Sequence, residues 1–406
     1  MSICAPGKSE RRMQQQGLPR TVVALGFVSL CMDTSSELIH SLLPLYLVGT
    51  LGASPLLLGL IEGIAEATAS FMRLFSGAIS DRLGRRKPLL LAGYGLAALS
   101  KPLFPLADSA LTVMGARFLD RIGKGIRGAP RDALLADVTP PALHGAAFGL
   151  RQSMDTVGAV LGPLLAMVLM LVLAGDIRAV LWAATVPAGI AVLVILRYVK
   201  EPDSGAPADS ARPLWRPGEL ARLPRVYWMA VLLGMLLTLA RFSEAFLLLR
   251  ASELGLAAAL VPLILIAMNV AYATSAWPVG VLSDRLGRKP LLGLGIALLI
   301  LADAVLAIAQ TPWLTALGAV LWGLHLGATQ GLLSALVADT APAALRGSAF
   351  GVLHFAAGIA LLVASLVAGF LWSKLGPQAT FAAGAVFALC ALLALVVLPA
   401  TVAASS

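Results

Sequence analysis

The sequence predicts an all-α membrane protein, with twelve transmembrane helices in two pseudo-symmetric six-helix bundles. Three observations carry that expectation. The chain has 406 residues, 59% hydrophobic and only 13% charged. A soluble domain cannot hide that much apolar surface, so lipid must be the solvent for most of it. Twelve stretches are near the ~20 mainly apolar residues that a spanning helix needs. A loop sequence near residue 80 also returns half a chain later. A transmembrane barrel is excluded, because its strands would alternate in segments of about ten residues.

The first six spans fall approximately at 21–48, 55–77, 88–107, 111–131, 145–172 and 178–199. Spans 7 to 12 fall at 226–249, 257–280, 289–309, 313–335, 347–372 and 379–398. The expected organisation is a cytoplasmic N-terminal segment (1–20), a first bundle (21–199), a linker (200–225), a second bundle (226–398) and a tail (399–406). The linker is rich in Pro and charge. Residues 1–20 are polar and basic with no apolar core, so they are not a cleavable signal. Cys4, Cys31 and Cys390 show neither disulfide nor metal spacing. The net charge of +9 would suit a nucleic-acid binder, but basic residues also mark the cytoplasmic ends of spans. They cluster at Lys8, Arg11 and Arg12, at 82–87, at 212–225 and at 285–289, whereas loops 49–54 and 310–312 carry none. The expectation is therefore a monomer in the cell inner membrane, with both termini cytoplasmic and no nucleic-acid partner.

Ionisable residues inside a bilayer are costly, so each one suggests function. Span 1 carries Asp33, Glu37 and His40, within about 60° of one another on a helix. Span 2 carries Glu62, Glu66 and Arg73 on one stripe. Span 4 is charged along one face: Arg117, Asp120, Arg121, Lys124, Arg127, Arg131 and Asp132 fall between about −80° and +60°, over roughly 20 Å of helix. Span 5 carries Arg151 and Asp155 at i, i+4. In one reading the span 4 cations are neutralised by Asp33, Glu37, Glu62, Glu66, Asp120 and Asp155 in a structural network. In the other, some of them face a cavity and attract an anionic group of a substrate. The second half reads as nearly empty of buried charge. Arg241 and Glu244 on span 7 are the exceptions, and they are expected on one side of the helix at i, i+3. Asn269 stands in the place of Glu66. His325, Gln330 and His354 are polar, and Phe242, Phe246 and Trp322 offer an apolar wall.

The repeat organises the whole. GAISDRLGRRKPLL from Gly77 to Leu90 returns as GVLSDRLGRKPLL from Gly280 to Leu292, with Asp81 and Asp284 203 residues apart. Ala136-Asp137 returns as Ala338-Asp339. Spans 1 and 7 share a mid-helix Ser-Glu pair, Ser36-Glu37 and Ser243-Glu244. Repeats of this kind build transporter halves around a central site.

Gly77, Asp81, Arg82, Gly84, Arg85, Arg86 and Lys87 resemble the loop 2–3 signature of the major facilitator superfamily. Gly280, Asp284, Arg285, Gly287 and Arg288 repeat it, and the resemblance covers the whole chain. It implies that Asp81 sits against a helix end across the interface between the halves, and that Arg85 pairs with Asp137 or Asp132. Asp284, Arg288 and Asp339 would repeat that arrangement. Such a latch biases the outward-open state. Gly149, Gly158, Gly162 and Pro163 on span 5 resemble a motif of proton-coupled antiporters, although Ala166 and Met167 replace its usual following Gly pair. Small residues also permit close helix packing. Arg121-Ile122-Gly123-Lys124-Gly125 resembles a third motif, whose Arg lines the cavity and is linked to proton transfer. Here Lys124 takes the polar position, and Arg117, Arg127 and Arg131 are additions.

The resemblance implies a secondary active transporter, a proton-coupled exporter of a small organic molecule by alternating access. The expected partners are that molecule, protons and the lipid bilayer. No Walker loop is present. No metal-ligand cluster, nucleophile elbow or cofactor loop points to an enzyme, so no metal and no cofactor is expected. Two alternatives stay open. One is uptake or exchange of an anionic organic solute such as an organophosphate, clamped by span 4 cations. The other is a lipid flippase. The expected substrate or proton-coupling residues are Asp33, Glu37, His40, Glu62, Glu66, Arg117, Arg121, Lys124, Asp155 and Glu244.

Overall fold

A computed structural model describes residues 18–83, 85–140, 143–201, 223–341 and 346–397. Within its helices, the side chains at 74, 77, 78, 81, 82, 145, 284, 285, 335, 338, 339 and 346–348 lie outside the description. The expected motif residues Gly77, Asp81, Arg82, Gly84, Asp284, Arg285 and Asp339 therefore lie outside the described side chains.

In hydrocarbon a backbone amide finds no water and must bond within its own segment, so each apolar run becomes helix. Span 1 is Arg20–Pro44, continued by a π-helical turn Leu45–Thr50. Span 2 is Pro55–Leu83 and span 5 is His144–Val172. Span 6 is Ile177–Ala183 followed by Thr185–Tyr198. In the second half, spans 8 to 12 are Leu263–Leu286, Arg288–Ile308, Pro312–Thr340, Arg346–Leu375 and Pro377–Val397. Among the described residues, ten helical stretches are apolar and long enough to cross a membrane. Spans 3 and 4 fall outside those ten for different reasons. Span 3, Lys87–Ser100, has 14 residues before a 3-10 turn, Lys101–Leu103. Span 4, Ala110–Asp137, has 28 residues, but the charged face dilutes its apolarity.

Span 7 departs from the expected continuous helix. It forms Arg225–Ala240 and Ala245–Glu253, with residues 241–244 between them non-helical. Serine hydroxyls compete with helical hydrogen bonds, and here Ser243 Oγ accepts from the Ala245 amide at 3.3 Å. Arg241 and Glu244 therefore lie at the two ends of a break rather than sharing a helix face, and Ser243-Glu244 is not a mid-helix pair as Ser36-Glu37 is.

Small residues set the contact between the halves. Span 2 lies along span 11: a Cβ on Gly59 would stand 2.2 Å from the Ser365 carbonyl oxygen, and one on Gly369 2.7 Å from that of Pro55. The Leu56 amide donates to Ser373 Oγ at 3.1 Å. Span 5 meets span 8, where Asn269 Nδ2 donates to the Ala159 carbonyl at 3.3 Å. These contacts lie at mid-depth or nearer the face that carries loops 49–54 and 310–312. Toward the opposite face, where the linker attaches, Arg73, Gln152, Ser153, Gln330 and Ser334 are exposed. The contacts between spans 2 and 11 thus run from the short-loop face to about Phe71 and Phe355, and beyond them toward the linker face polar side chains are exposed.

Candidate functional site

A cavity of about 390 Å³ lies between the halves. The first half lines it with Glu37, His40, Glu62, Glu66, Arg121 and Lys124. The second half contributes Thr238, the broken segment Arg241–Glu244, Trp322, Leu326, Gln330 and Leu361. Seven of the ten expected site residues meet there. Arg117 stands behind the wall, and Asp33 and Asp155 do not line it.

Span packing places these groups. Gly158 and Gly162 let span 5 touch span 1: a Cβ on Gly162 would lie 2.7 Å from both the Thr34 carbonyl oxygen and Glu37 Cβ. Gly149 has nothing within 4 Å, so it takes no part in that packing. Pro163 is buried inside the span 5 helix. Span 4 is held equally close. A Cβ on Gly125 would stand 2.4 Å from Met72 Cβ of span 2, and one on Gly123 2.5 Å from the Gly93 carbonyl oxygen of span 3.

The resulting network pairs most of the charges. Arg117 Nε and Nη2 donate to the two oxygens of Glu62, each at 3.1 Å. His40 joins the two carboxylates of that wall, with Nδ1 3.3 Å from Glu37 and Nε2 3.5 Å from Glu62. Ser243 Oγ donates to Glu62 across the cleft at 3.2 Å, so this acid also touches the second half. Arg121 Nη1 lies 3.0 Å from Glu66. Nearer the linker face, Arg131 donates to Asp132 and Ser29. Arg151 donates to Asp155 at 2.7 Å, and Arg127 stacks 4.6 Å over the Tyr94 ring. Pairing of this kind satisfies charges that would otherwise be costly at membrane depth.

Lys124 is different. It lines the cavity, yet among the described residues it makes no hydrogen bond or ion pair. The structural-network reading of span 4 therefore describes Arg117, Arg121 and Arg131, and Lys124 stands outside it.

Three further findings were not expected. Lys101, read as an unremarked part of span 3, is 1% exposed and donates to Asp120 at 2.7 Å and to Ser36 at 3.0 Å. Asp303 on span 9 is 0% exposed, and neither of its oxygens has a partner. Arg250 is also buried and donates to the Ala309 carbonyl. The second half is thus not nearly empty of buried charge. Both Lys101 and Asp303 were visible as ionisable residues inside apolar runs, the same signal that singled out Glu37. His325 is a packing residue, 0% exposed, 2.7 Å from the Gly295 carbonyl oxygen.

The loop 2–3 motif is also rearranged. Arg86 Nε, rather than Arg85, donates to Asp137 at 3.0 Å, and Arg86 Nη1 donates to Ser80 at 2.8 Å. Its amide donates to Glu201, at the end of span 6. Arg85 is exposed, and Asp132 is engaged by Arg131 and Arg151. At the second copy, Gly287 takes φ 82°, a left-handed conformation that glycine adopts freely, and so turns the chain from span 8 into Arg288 and span 9. Gly280 has nothing within 4 Å.

Comparison with known proteins agrees with this architecture. The family profile described as Major Facilitator Superfamily matches residues 25–250 and again 239–406. An uncharacterized MFS-type transporter of Methanocaldococcus jannaschii is 34% identical over 378 residues, covering 92% of this chain and 93% of that one. A multidrug resistance protein, MdtH, of Proteus mirabilis is 31% identical over 179 residues, 44% of this chain and 41% of that one. The fold resembles that of a bacterial homologue of the human lysosomal transporter Spinster, solved in an inward-facing and occupied conformation. The TM-score is 0.78 at 14% identity, covering 98% of this chain and 100% of that one. With two helical bundles around one central cavity and a family match over nearly its whole length, the chain belongs to the major facilitator superfamily.

Proposed function

We propose that this protein exports a small organic molecule through the inner membrane in exchange for protons, by alternating access. The linker face is then cytoplasmic, and the conformation described above is the inward-open one. One observation carries the reading: the cavity sits between the halves and gathers Glu37, Glu62, Glu66 and His40 on a single wall. Carboxylates held between counter-ions inside a membrane are the groups that proton-driven carriers use. Glu37 is the proposed proton carrier, because its bond to His40 is a single contact, whereas Glu62 is clamped by Arg117 from behind. The partial likeness to a protein named for multidrug resistance supports export. The span 5 resemblance to an antiporter motif supports exchange. Asp81, Asp284 and Asp339 remain the proposed gating acids.

Reconstitution in proteoliposomes tests this. Anionic, cationic and zwitterionic organic compounds are offered with and without an imposed pH gradient. Gradient-dependent movement of one class, accompanied by counterflow of protons, is the expected result. Glu37→Gln should retain substrate exchange and lose proton flux. Transport indifferent to the gradient rules out proton coupling, and full proton flux in Glu37→Gln assigns the carrier to another acid.

A further inference from the structure

A charge inside a bundle at membrane depth is tolerated when it meets an opposite charge from the protein or from a ligand. Most charges around the cavity meet this condition internally: Glu62 on Arg117, Glu66 on Arg121, Glu37 on His40. Three do not. Among the described residues, Lys124 on span 4 and both Arg241 and Glu244 in the span 7 break line the cavity without a side-chain hydrogen bond or ion pair. Arg241 Nε is moreover sealed from solvent with no acceptor. The three stand on facing walls, Lys124 in the first half and the other two in the second. The break supplies the second wall's charges together with Phe242, whose ring packs 5.4 Å from that of Trp322.

We propose that the cavity binds a small zwitterion: an anionic head between Lys124 and Arg241, an ammonium on Glu244, and an apolar body against Phe242 and Trp322. This rests on the transport reading above and names its substrate class. A simple cation would face two unpaired cations and one acid. A simple anion would leave Glu244 unpaired beside it. A neutral molecule would leave all three unpaired. A zwitterion gives each group an opposite charge. The guanidinium of Arg241 offers a planar fork to two head oxygens, whereas Lys124 offers a point charge, so carboxylate and phosphonate heads both fit. Because the three contacts come from both halves, an occupied site ties the walls together. Occupancy thereby favours the conformer in which the cleft is narrower, as differential binding requires.

The test uses the full chain purified in detergent and four matched probes. Phenylalanine carries both charges and an aryl body, and 1-amino-2-phenylethylphosphonate replaces its carboxylate with a phosphonate. 3-Phenylpropionate lacks the ammonium, and phenethylamine lacks the acid. Affinity is read by calorimetric titration and by the thermal midpoint. One or both zwitterions should bind at least roughly tenfold more tightly than either half-molecule. Lys124→Gln and Arg241→Gln should each weaken every acid-bearing probe. Glu244→Gln should remove the advantage of phenylalanine over 3-phenylpropionate and leave 3-phenylpropionate binding intact. The unliganded midpoint should not fall markedly in these variants, because none of the three makes a hydrogen bond or ion pair that the substitution would break, only longer-range attraction to neighbouring charges. A markedly lowered unliganded midpoint overturns the assignment for that residue. Tightest binding by phenethylamine, no binding by any probe, or affinities unmoved by all three substitutions overturns the proposal. Its failure is separable from that of the transport reading. Gradient-driven transport of a cation without zwitterion binding sinks only the substrate class. Zwitterion binding with no transport of any compound sinks only the transport reading.

Discussion

Arg117 and Glu62 are each 1% exposed and are joined by two parallel hydrogen bonds of 3.1 Å. Taking two charges out of water is costly, and the pair is tolerated because its geometry is bidentate. Removing one partner leaves a stranded charge, which in buried pairs costs about 3–5 kcal/mol. Arg117→Gln should therefore lower unfolding stability in detergent by about that amount, and adding Glu62→Gln should recover most of it. Failure of the double variant to recover would show that Arg117 has a further role beyond neutralising Glu62. The Arg86–Asp137 pair is of another kind, with side chains 20% and 46% exposed. Exposed pairs contribute about 0–1 kcal/mol, so its worth is in position: it ties the loop 2–3 turn to the end of span 4. Arg86→Gln and Asp137→Asn should leave the thermal midpoint nearly unchanged and slow transport in proteoliposomes. Arg85→Gln should change neither the midpoint nor the rate, and an equal loss of transport in Arg85→Gln would return the role to that residue.

Among the spans, the contact of span 5 on span 1 leaves no room at two glycines beside the site. Gly158 would place a Cβ 2.8 Å from the Leu30 carbonyl oxygen, and Gly162 would clash with Thr34 and Glu37. A larger side chain there must push span 1 away, and with it the cavity acid. Gly162→Leu should destabilise by about 1–3 kcal/mol, the usual cost of overpacking, and should impair transport further by displacing Glu37. Gly149→Leu, facing open space, is the matched control and should change neither the midpoint nor the rate. The span 7 break acts in the opposite sense. By giving up helical hydrogen bonds over residues 241–244, it places four consecutive side chains on the cavity wall. A continuous helix would spread those four side chains around its circumference, because successive residues differ by about 100°.

For the molecule as a whole, the halves touch through spans 2 and 11 and spans 5 and 8, at mid-depth and toward the short-loop face. Alternating access requires those contacts to open while the linker face closes. Joining Leu56→Cys to Ser373→Cys, in a background without Cys4, Cys31 and Cys390, should therefore lock the described conformer. Oxidation should abolish transport and reduction should restore it. Undiminished transport by the fully cross-linked protein would show that the short-loop face does not open during the cycle.

The twelve spans and the two-half repeat were legible in the sequence because they follow from local chemistry. Lipid tolerates only runs whose side chains are apolar and whose amides bond internally, and a duplicated loop is visible residue by residue. The charged stripe on span 4 was legible for the same reason, since helical periodicity alone orders it. Which charge meets which was not. Lys101 and Asp120 sit on different spans, and their pairing depends on how span 3 rotates against span 4. Arg85 and Arg86 differ by one step in a turn, and the backbone path there decided which of them reaches Asp137. Lys124 looked no different from Arg121 along the chain; Arg121 has Glu66 at 3.0 Å, whereas Lys124 has Glu66, Glu37 and Asp33 near it but, among the described residues, none in ion-pair range. Amino-acid order alone determined that charges lie inside this membrane protein. Only the tertiary packing, which sets distances of a few ångströms between groups far apart in the chain, decided which of them are satisfied and which are left facing the cavity.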